Sequence, residues 1–570
     1  SKDPTHSPVW GFLVPLRASS HMQTLKLILK SISEKERVTL IIAFAIFVFA
    51  LTITIAKTIE ERGTSAPVRG GSYVEGVIGQ PIMVNPVFSS NQADKDISAL
   101  VYADIASLIS DWKISDDGRE YSVKLKEGLL WSDGEPLTSD DVLFTIQTIQ
   151  NPDARSPLVK DWQGVEMERV SQLQVKFTLP APYVFFTKNL KNTRLIPRHI
   201  FGSIPIENMG LSEYNLEPVA SGPYKFASFA KRKDGFITEY RLVTNEQYEG
   251  QKPYIEQFSF NYYASTADLI KDLRLRKIDG FGSALPLGAE TRSLPRVKIE
   301  NTPMPRYYAI FLNSVNNPAL KDKNLRTALG MAINKEKIIN KVFKGNATPI
   351  ESPLFKNLIS FDPQSTLGTA TTPQWTEMQT SSSYDAENAA RIIADLKTKD
   401  IKLNLVIPKV PFLEKVAESI KEDWLGAGIS DVTITEKDTT TLIGDYVKTR
   451  NYEMLMFGNI YENPADLFPF WHSSQRFYPG LNLSIYQSTE ADKLMEAIRQ
   501  KNDPKSQRIN LERLDTLLQN DGPAIFLFSM PYFYVRSSLL NGFNPGVITS
   551  PEDRFANVTD WNLASVRILK

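Results

Sequence analysis

The stretch Tyr121–Val142, YSVKLKEGLLWSDGEPLTSDDV, decides how this chain is read. Tyr121–Leu125 alternates apolar and polar side chains, as a half-buried strand does. Thr138–Asp141 (TSDD) is a capping box that opens a helix continuing through VLFTIQTIQ. Asp140 and Asp141 are thereby explained by the positive end of that helix. Outward from this core, Ser72–Ile78 reads as a strand, and Ser171–Leu179 (SQLQVKFTL) as another with period-two alternation.

The later half contains one regular α/β stretch. Ile401–Pro408 (IKLNLVIP) predicts a strand, Pro411–Leu425 a helix ended by Gly426 and Gly428, and Val432–Glu436 a further strand. A helix near Thr441–Lys448 and a strand at Glu453–Phe457 complete the unit. The order implies helices packed on a partly parallel sheet. A scaffold of this kind does not by itself specify a function.

Before these elements, Val38–Ala56 reads VTLIIAFAIFVFALTITIA and carries no charge. At the helical rise it spans about 28 Å, close to the hydrocarbon thickness of a bilayer. Lys26, Lys30, Lys35 and Arg37 precede the run, whereas Glu60 and Glu61 follow it. Positive charge stays on the cytoplasmic side, so the N-terminus is expected inside the cell and the body outside. The run is long for a signal peptide and Thr-Ile-Ala-Lys is a poor cleavage site, so an uncleaved anchor is favoured over cleavage near Ala56. Residues 57–70 (KTIEERGTSAPVRG) read as a polar, turn-rich linker. Residues 1–21 have no clear periodicity and are set aside as a candidate cloning scar or read-through ahead of a start at Met22.

The remaining body of roughly 510 residues is too large for one core and is sized for two or three domains. The chain has 65 basic and 65 acidic residues; beyond Ala56 they number 59 and 62. A body so nearly neutral carries no footprint for nucleic acid. Cysteine is absent, which excludes disulfides, thiolate chemistry, cysteine-held metal and a lipidated N-terminal cysteine. Only His199 and His472 lie in the body, far apart, and a hydrogen-bonded structural role is the ordinary one for each. No HExxH, GxSxG or GxxxxGK[ST] occurs, so no catalytic residue, metal ligand or cofactor is assigned. Aromatic residues are abundant (30 Phe, 21 Tyr, 8 Trp) and cluster at Phe468–Trp471 and Pro531–Tyr534. Most such rings belong to cores; others form rigid walls of a ligand cleft.

Tyr121, Leu125, Lys126, Gly128, Trp131, Ser132–Gly134, Pro136, Leu137, Thr138, Asp141 and Val142 together resemble the signature of the family 5 extracellular solute-binding proteins. These are the oligopeptide-, dipeptide- and nickel-binding components of ABC importers. Further segments are similar to the family's in the same order: Ser221–Phe226 (SGPYKF), Asn245–Gly250 with Pro253–Ile255, Asp272 through Asp279, and Asn324–Leu329 with Ala332 and Ile333. Tyr384, Asp385, Ala389 and Leu396 follow, and then Asp521–Leu527. Lys277 stands where the family usually has an acid. The resemblance covers roughly residues 69–565.

The resemblance implies an α/β, two-lobed fold of the type II periplasmic-binding-protein kind with an inserted subdomain, preceded here by one transmembrane helix. Lobe I is expected from 71–110, 211–307 and 531–570, the inserted subdomain from 111–210, and lobe II from 308–530, with hinge strands near Arg306–Ile310 and Ser529–Tyr534. Ligand would be enclosed between the lobes, bound as an added strand in the peptide-binding case, with closure by hinge rotation. The implied ligand-binding residues are Phe88, Tyr102, Phe457, Gly458, Asn459, Ile460, Tyr461, Glu462, Asp466, Trp471 and Tyr532. Peptide-binding members hold the ligand's amine with an aspartate four residues before a proline. In Met456–Pro464 (MFGNIYENP) that position is Ile460, which cannot neutralise an ammonium group. Either Glu462 or Asp466 takes the role, or the ligand has no free amine there.

The reading is therefore a bacterial cell-membrane protein, single-pass with its body extracytoplasmic. It is expected to be a monomer that captures a peptide or other small solute and delivers it to an ABC permease and its ATPase. A solute sensor of the same fold and a membrane-tethered hydrolase are the competing readings. Sugar, opine-like and metal-chelate ligands remain open beside peptides.

Overall fold

The computed structural model describes residues 33–62, 64–359, 384–501 and 503–568. The lead from Met22, with Lys26 and Lys30 of the charge argument, lies outside them. The chain divides into two compact units, one holding residues up to Val68 together with the C-terminal end, the other spanning Arg69–Ala564.

In the first unit a helix runs Glu34–Arg62, six residues past the expected end of the span. Thr64–Val68 then forms a strand paired with Ala564–Ile568. The stretch read as a linker is thus regular over much of its length. Thr52 and Thr54 donate their hydroxyls to carbonyls one turn back, so these polar groups need no water along the helix. The apolar side chains from Val38 to Ile53 stay exposed.

Among the described residues the second unit holds three sheets. A seven-stranded sheet has the order Val297–Thr302, Tyr532–Ser537, Gly280–Ser283, Ser72–Ile78, Gln257–Tyr263, Ile237–Thr244, Tyr224–Lys231. Its strands come from the start, middle and end of the chain. A four-stranded antiparallel sheet has the order Ile109–Ile114, Glu120–Leu125, Gln174–Thr178, Glu166–Ser171. A six-stranded sheet, Thr348–Pro349, Ala524–Ser529, Arg306–Leu312, Met454–Ile460, Lys402–Pro408, Asp431–Lys437, forms the centre of the other lobe. The parallel pairing of Lys402–Pro408 with both Asp431–Lys437 and Met454–Ile460 agrees with the sequence reading.

The capping box at Thr138 is present, and the helix it opens is Ser139–Gln150. Ser171–Leu179 is not one strand. The chain reverses at Gln172–Leu173, leaving Ser171 at the end of one strand and Gln174–Thr178 as the next. Alternation continues through so tight a turn, so a period-two pattern cannot register it. The segment near Thr441 is a short helical turn capped by Asp438, then wider winding over Leu442–Val447. The strand expected at Glu453–Phe457 extends to Ile460, because pairing along the whole of Arg306–Leu312 overrides the weak strand preference of Gly458 and Asn459.

One buried network joins the start of the second unit to its end. Arg554, near the end of the chain, donates to Glu75 at 3.0 Å and to Asp96 at 2.8 and 2.6 Å. The Tyr534 hydroxyl donates to the other Glu75 oxygen at 2.8 Å and lies 2.9 Å from the Tyr73 hydroxyl. Two carboxylates share a single guanidinium here. Burial pushes the Glu75 carboxyl up to about 7, against the pull of Arg554 and Tyr534.

Candidate ligand cleft

The chain passes between the seven-stranded and six-stranded sheets at two adjacent places. One is Pro303–Pro305, between the strands Val297–Thr302 and Arg306–Leu312; the other is Met530–Pro531, between Ala524–Ser529 and Tyr532–Ser537. The first lies just before Arg306–Ile310 and the second within Ser529–Tyr534, the two stretches expected to hinge. Prolines at these breaks fit a strand that must end, since proline cannot donate to a ladder.

Arg306 stands at this junction and is buried. Its guanidinium donates to the carbonyls of Ala284 at 2.5 Å and Pro531 at 3.1 Å, with Met530 at 3.4 Å. It has no carboxylate partner among these contacts, and burial pulls its pKa down. A charge placed this way is held by carbonyl dipoles of the second crossing and of Ala284, which follows the strand Gly280–Ser283, so it ties the start of Arg306–Leu312 to the seven-stranded sheet.

The strand Met454–Ile460 lies antiparallel to the hinge strand, with Ile460 opposite Arg306, Asn459 opposite Tyr307 and Gly458 opposite Tyr308. Ile460 is 38% exposed beside the hinge. Gly458 is required by close approach, because a Cβ would come within 2.7 Å of the Tyr308 ring. Asn459 donates to the Tyr307 hydroxyl at 3.1 Å and is buried. Phe457 is half-buried against lobe II's core. Tyr461 and Trp471 are fully buried within that core, joined by an indole-to-hydroxyl bond of 3.3 Å. In lobe I, Phe88 packs half-buried on the core, Tyr102 is fully enclosed with its hydroxyl unpartnered, and Tyr532 opens the strand after the second crossing.

The two candidate carboxylates differ sharply. Asp466 is buried and accepts two bonds from Arg499, at 2.8 and 2.7 Å, and one from the Tyr183 hydroxyl at 3.2 Å. Glu462 is exposed and pairs with Lys160 of the inserted subdomain at 3.5 Å. Around Glu462 gather charges that no sequence pattern marked. Burial and the Glu462 charge push the Asp161 carboxyl up to about 6. Burial pulls the Lys188 ammonium down to about 8, although Glu462, Asp553 and Asp466 favour its charged form. Segments from lobe I, the inserted subdomain and lobe II thus converge there. Asp161 sits in VKDW and Lys188 in FTKNL, stretches with no local signal; only folding brings them together.

The histidines have ordinary partners: His199 lies 2.8 Å from Asp133, and His472 2.8 Å from the Ser474 hydroxyl. Among the described residues no three His, Cys, Asp or Glu side chains are grouped to hold a metal ion. A small hollow of about 30 Å³ lies between Lys126–Leu137 of the opening stretch and Gln247–Gly250, and neither Arg306 nor residues 461–466 line it.

A family model described as "Bacterial extracellular solute-binding proteins, family 5 Middle" matches residues 105–478. The oligopeptide-binding protein AppA of Bacillus subtilis is 24% identical over 577 residues, covering 93% of this chain and all of AppA. The structure of AppA with a nonapeptide superposes with a TM-score of 0.65 at 24% identity, covering 88% of this chain and 100% of that one. The ABC transporter substrate-binding protein CtaP of Listeria monocytogenes superposes with a TM-score of 0.73 at 25% identity, covering 87% and 99%.

Proposed function

Because this chain belongs to family 5 of the bacterial extracellular solute-binding proteins, we propose that it captures a peptide-like solute between its two lobes and delivers it to an ABC permease with its ATPase. The observation that carries this reading is the pair of adjacent crossings at Pro303–Pro305 and Met530–Pro531, clamped by Arg306. Two crossings side by side allow rotation about one axis and restrain other motions. A ligand touching both lobes favours the closed arrangement by its differential affinity for it.

The proposed domain division keeps 71–110, 211–307 and 531–570 as lobe I, 111–210 as the inserted subdomain and 308–530 as lobe II; the three sheets support it. The proposed ligand surface comprises Phe88, Tyr102, Phe457–Ile460, Glu462 and Tyr532, with Tyr461, Asp466 and Trp471 shaping it from beneath. Asp466 is engaged by Arg499, so Glu462 and its neighbour Asp161 are the carboxylates proposed to face a ligand cation. The protein binds and releases its solute unchanged, as a monomer. Val38–Ala56 anchors it with the body extracytoplasmic, in place of a lipid on cysteine. Restriction to the membrane plane raises its concentration near the permease.

The test is a thermal-shift screen of the detergent-purified full chain against a peptide library, with mass spectrometry of co-purified solutes. Stabilisation by a subset of peptides is expected. Failure to bind or retain any small solute would overturn the reading.

A further inference from the structure

Residues Arg476–Leu481 (RFYPGL) form a loop on lobe II that presents Phe477, Tyr478 and Leu481 to solvent, 65%, 59% and 42% exposed. Single exposed apolar residues are common on protein surfaces; three within five positions are not. The loop is also firmly built. Arg450, itself buried, donates to the carbonyls of Arg476 at 3.0 Å, Gly480 at 2.6 Å and Val447. Gly480 closes on the Phe477 carbonyl at 2.8 Å, and a Cβ there would meet the Gln475 carbonyl oxygen at 2.3 Å. Asn482 fastens the base, donating to the carbonyls of Trp471, His472 and Tyr486. The chain spends buried polar groups on holding two aromatic rings out in water. A loop of no purpose could fold them inward.

Charge narrows the partner. Lys448 places its ammonium 5.1 Å from the Tyr478 ring centre, and Arg476 its guanidinium 5.8 Å from that of Phe477. From Trp471 to Ser488 there is no aspartate or glutamate. The carboxylates beneath the loop are occupied: Asp492 accepts from Ser473, and Glu496 faces His472 at 3.4 Å. Aromatic and aliphatic side chains beside Lys448 and Arg476 match the chemistry of an anionic lipid interface, where rings sit at headgroup level and each nearby cation adds attraction.

We propose that Arg476–Leu481 is a membrane-docking loop that rests lobe II on anionic lipid headgroups. The inference uses the anchor of the preceding reading, since a tethered body meets the lipid surface continually. The absence of cysteine makes the test clean. Tyr478→Cys gives the full chain one thiol for a polarity-sensitive fluorophore, and Lys233→Cys, on an exposed turn of lobe I, gives the control. Both are reconstituted in nanodiscs of phosphatidylcholine with or without phosphatidylglycerol. At position 478 a blue shift and quenching by a lipid-borne nitroxide are expected in the anionic discs, weakened by high salt and by Lys448→Glu, and absent at 233. Identical emission at 478 in both lipids, or a shift only when a permease is added, would overturn the proposal. Co-migration of the control chain with the discs reports the anchor separately, so its failure is distinguishable.

Discussion

Arg499 holds Asp466 with two hydrogen bonds of 2.8 and 2.7 Å, and that grip fixes what Asp466 does. Tyr183 completes the cluster from the inserted subdomain, and the Val184 amide donates to the Arg499 carbonyl at 2.9 Å. The carboxylate therefore fastens the inserted subdomain to lobe II. Asp466→Asn leaves a partly buried guanidinium without its counter-charge, so a loss of about 3 kcal/mol is expected by denaturant titration. Glu462→Gln, on an exposed side chain, should change stability by less than about 0.5 kcal/mol. Its effect should fall on affinity for solutes with a free amine, read by calorimetry. The opposite pattern would make Asp466 the ligand carboxylate.

Arg306 leads to a second expectation. Arg306→Met removes hydrogen bonds to Ala284 and Pro531, leaving buried carbonyls unpaired at a cost of about 2–3 kcal/mol. The looser hinge should also widen the spread of lobe separations in the unliganded protein, measured by pulsed dipolar spectroscopy between labelled lobes. An unchanged distribution would show that Arg306 has no part in holding the hinge.

The buried network at Glu75 predicts a pH dependence. Its carboxyl titrates near 7 in the folded chain against an ordinary value of 4.5, so the folded state binds that proton more tightly. The stabilising contribution is complete below about pH 4.5 and is lost as pH rises through about 7. Glu75→Gln should flatten the fall in melting temperature over that window while keeping the Arg554–Asp96 pair. If wild type and variant show the same pH profile, Glu75 is already ionised in the native state.

Local pattern carried much of this architecture. Ser72–Ile78 and the capped helix after Thr138 are present because alternation and capping are local physics. The stretches expected to hinge through family resemblance lie beside the proline-containing breaks between the two larger sheets. The turn at Gln172–Leu173 was hidden because alternation continues across it. The neutralisation of Asp466 and the gathering of Asp161, Lys160 and Lys188 around Glu462 were invisible for a different reason. Apart from the Arg499–Asp466 pair, 33 positions apart, they join residues about 270 to 300 positions apart, and a charge reveals its partner only once the fold supplies one.

Solute is expected to close the two lobes on each other. Lys233→Cys on lobe I and Glu418→Cys on lobe II supply two labelling sites in a chain without other cysteines. Energy transfer between dyes there, followed during titration with a peptide found in the screen, measures closure directly. The expected result is a change in transfer efficiency that saturates with the same dissociation constant as calorimetric binding. Saturable binding with no change in transfer would contradict it.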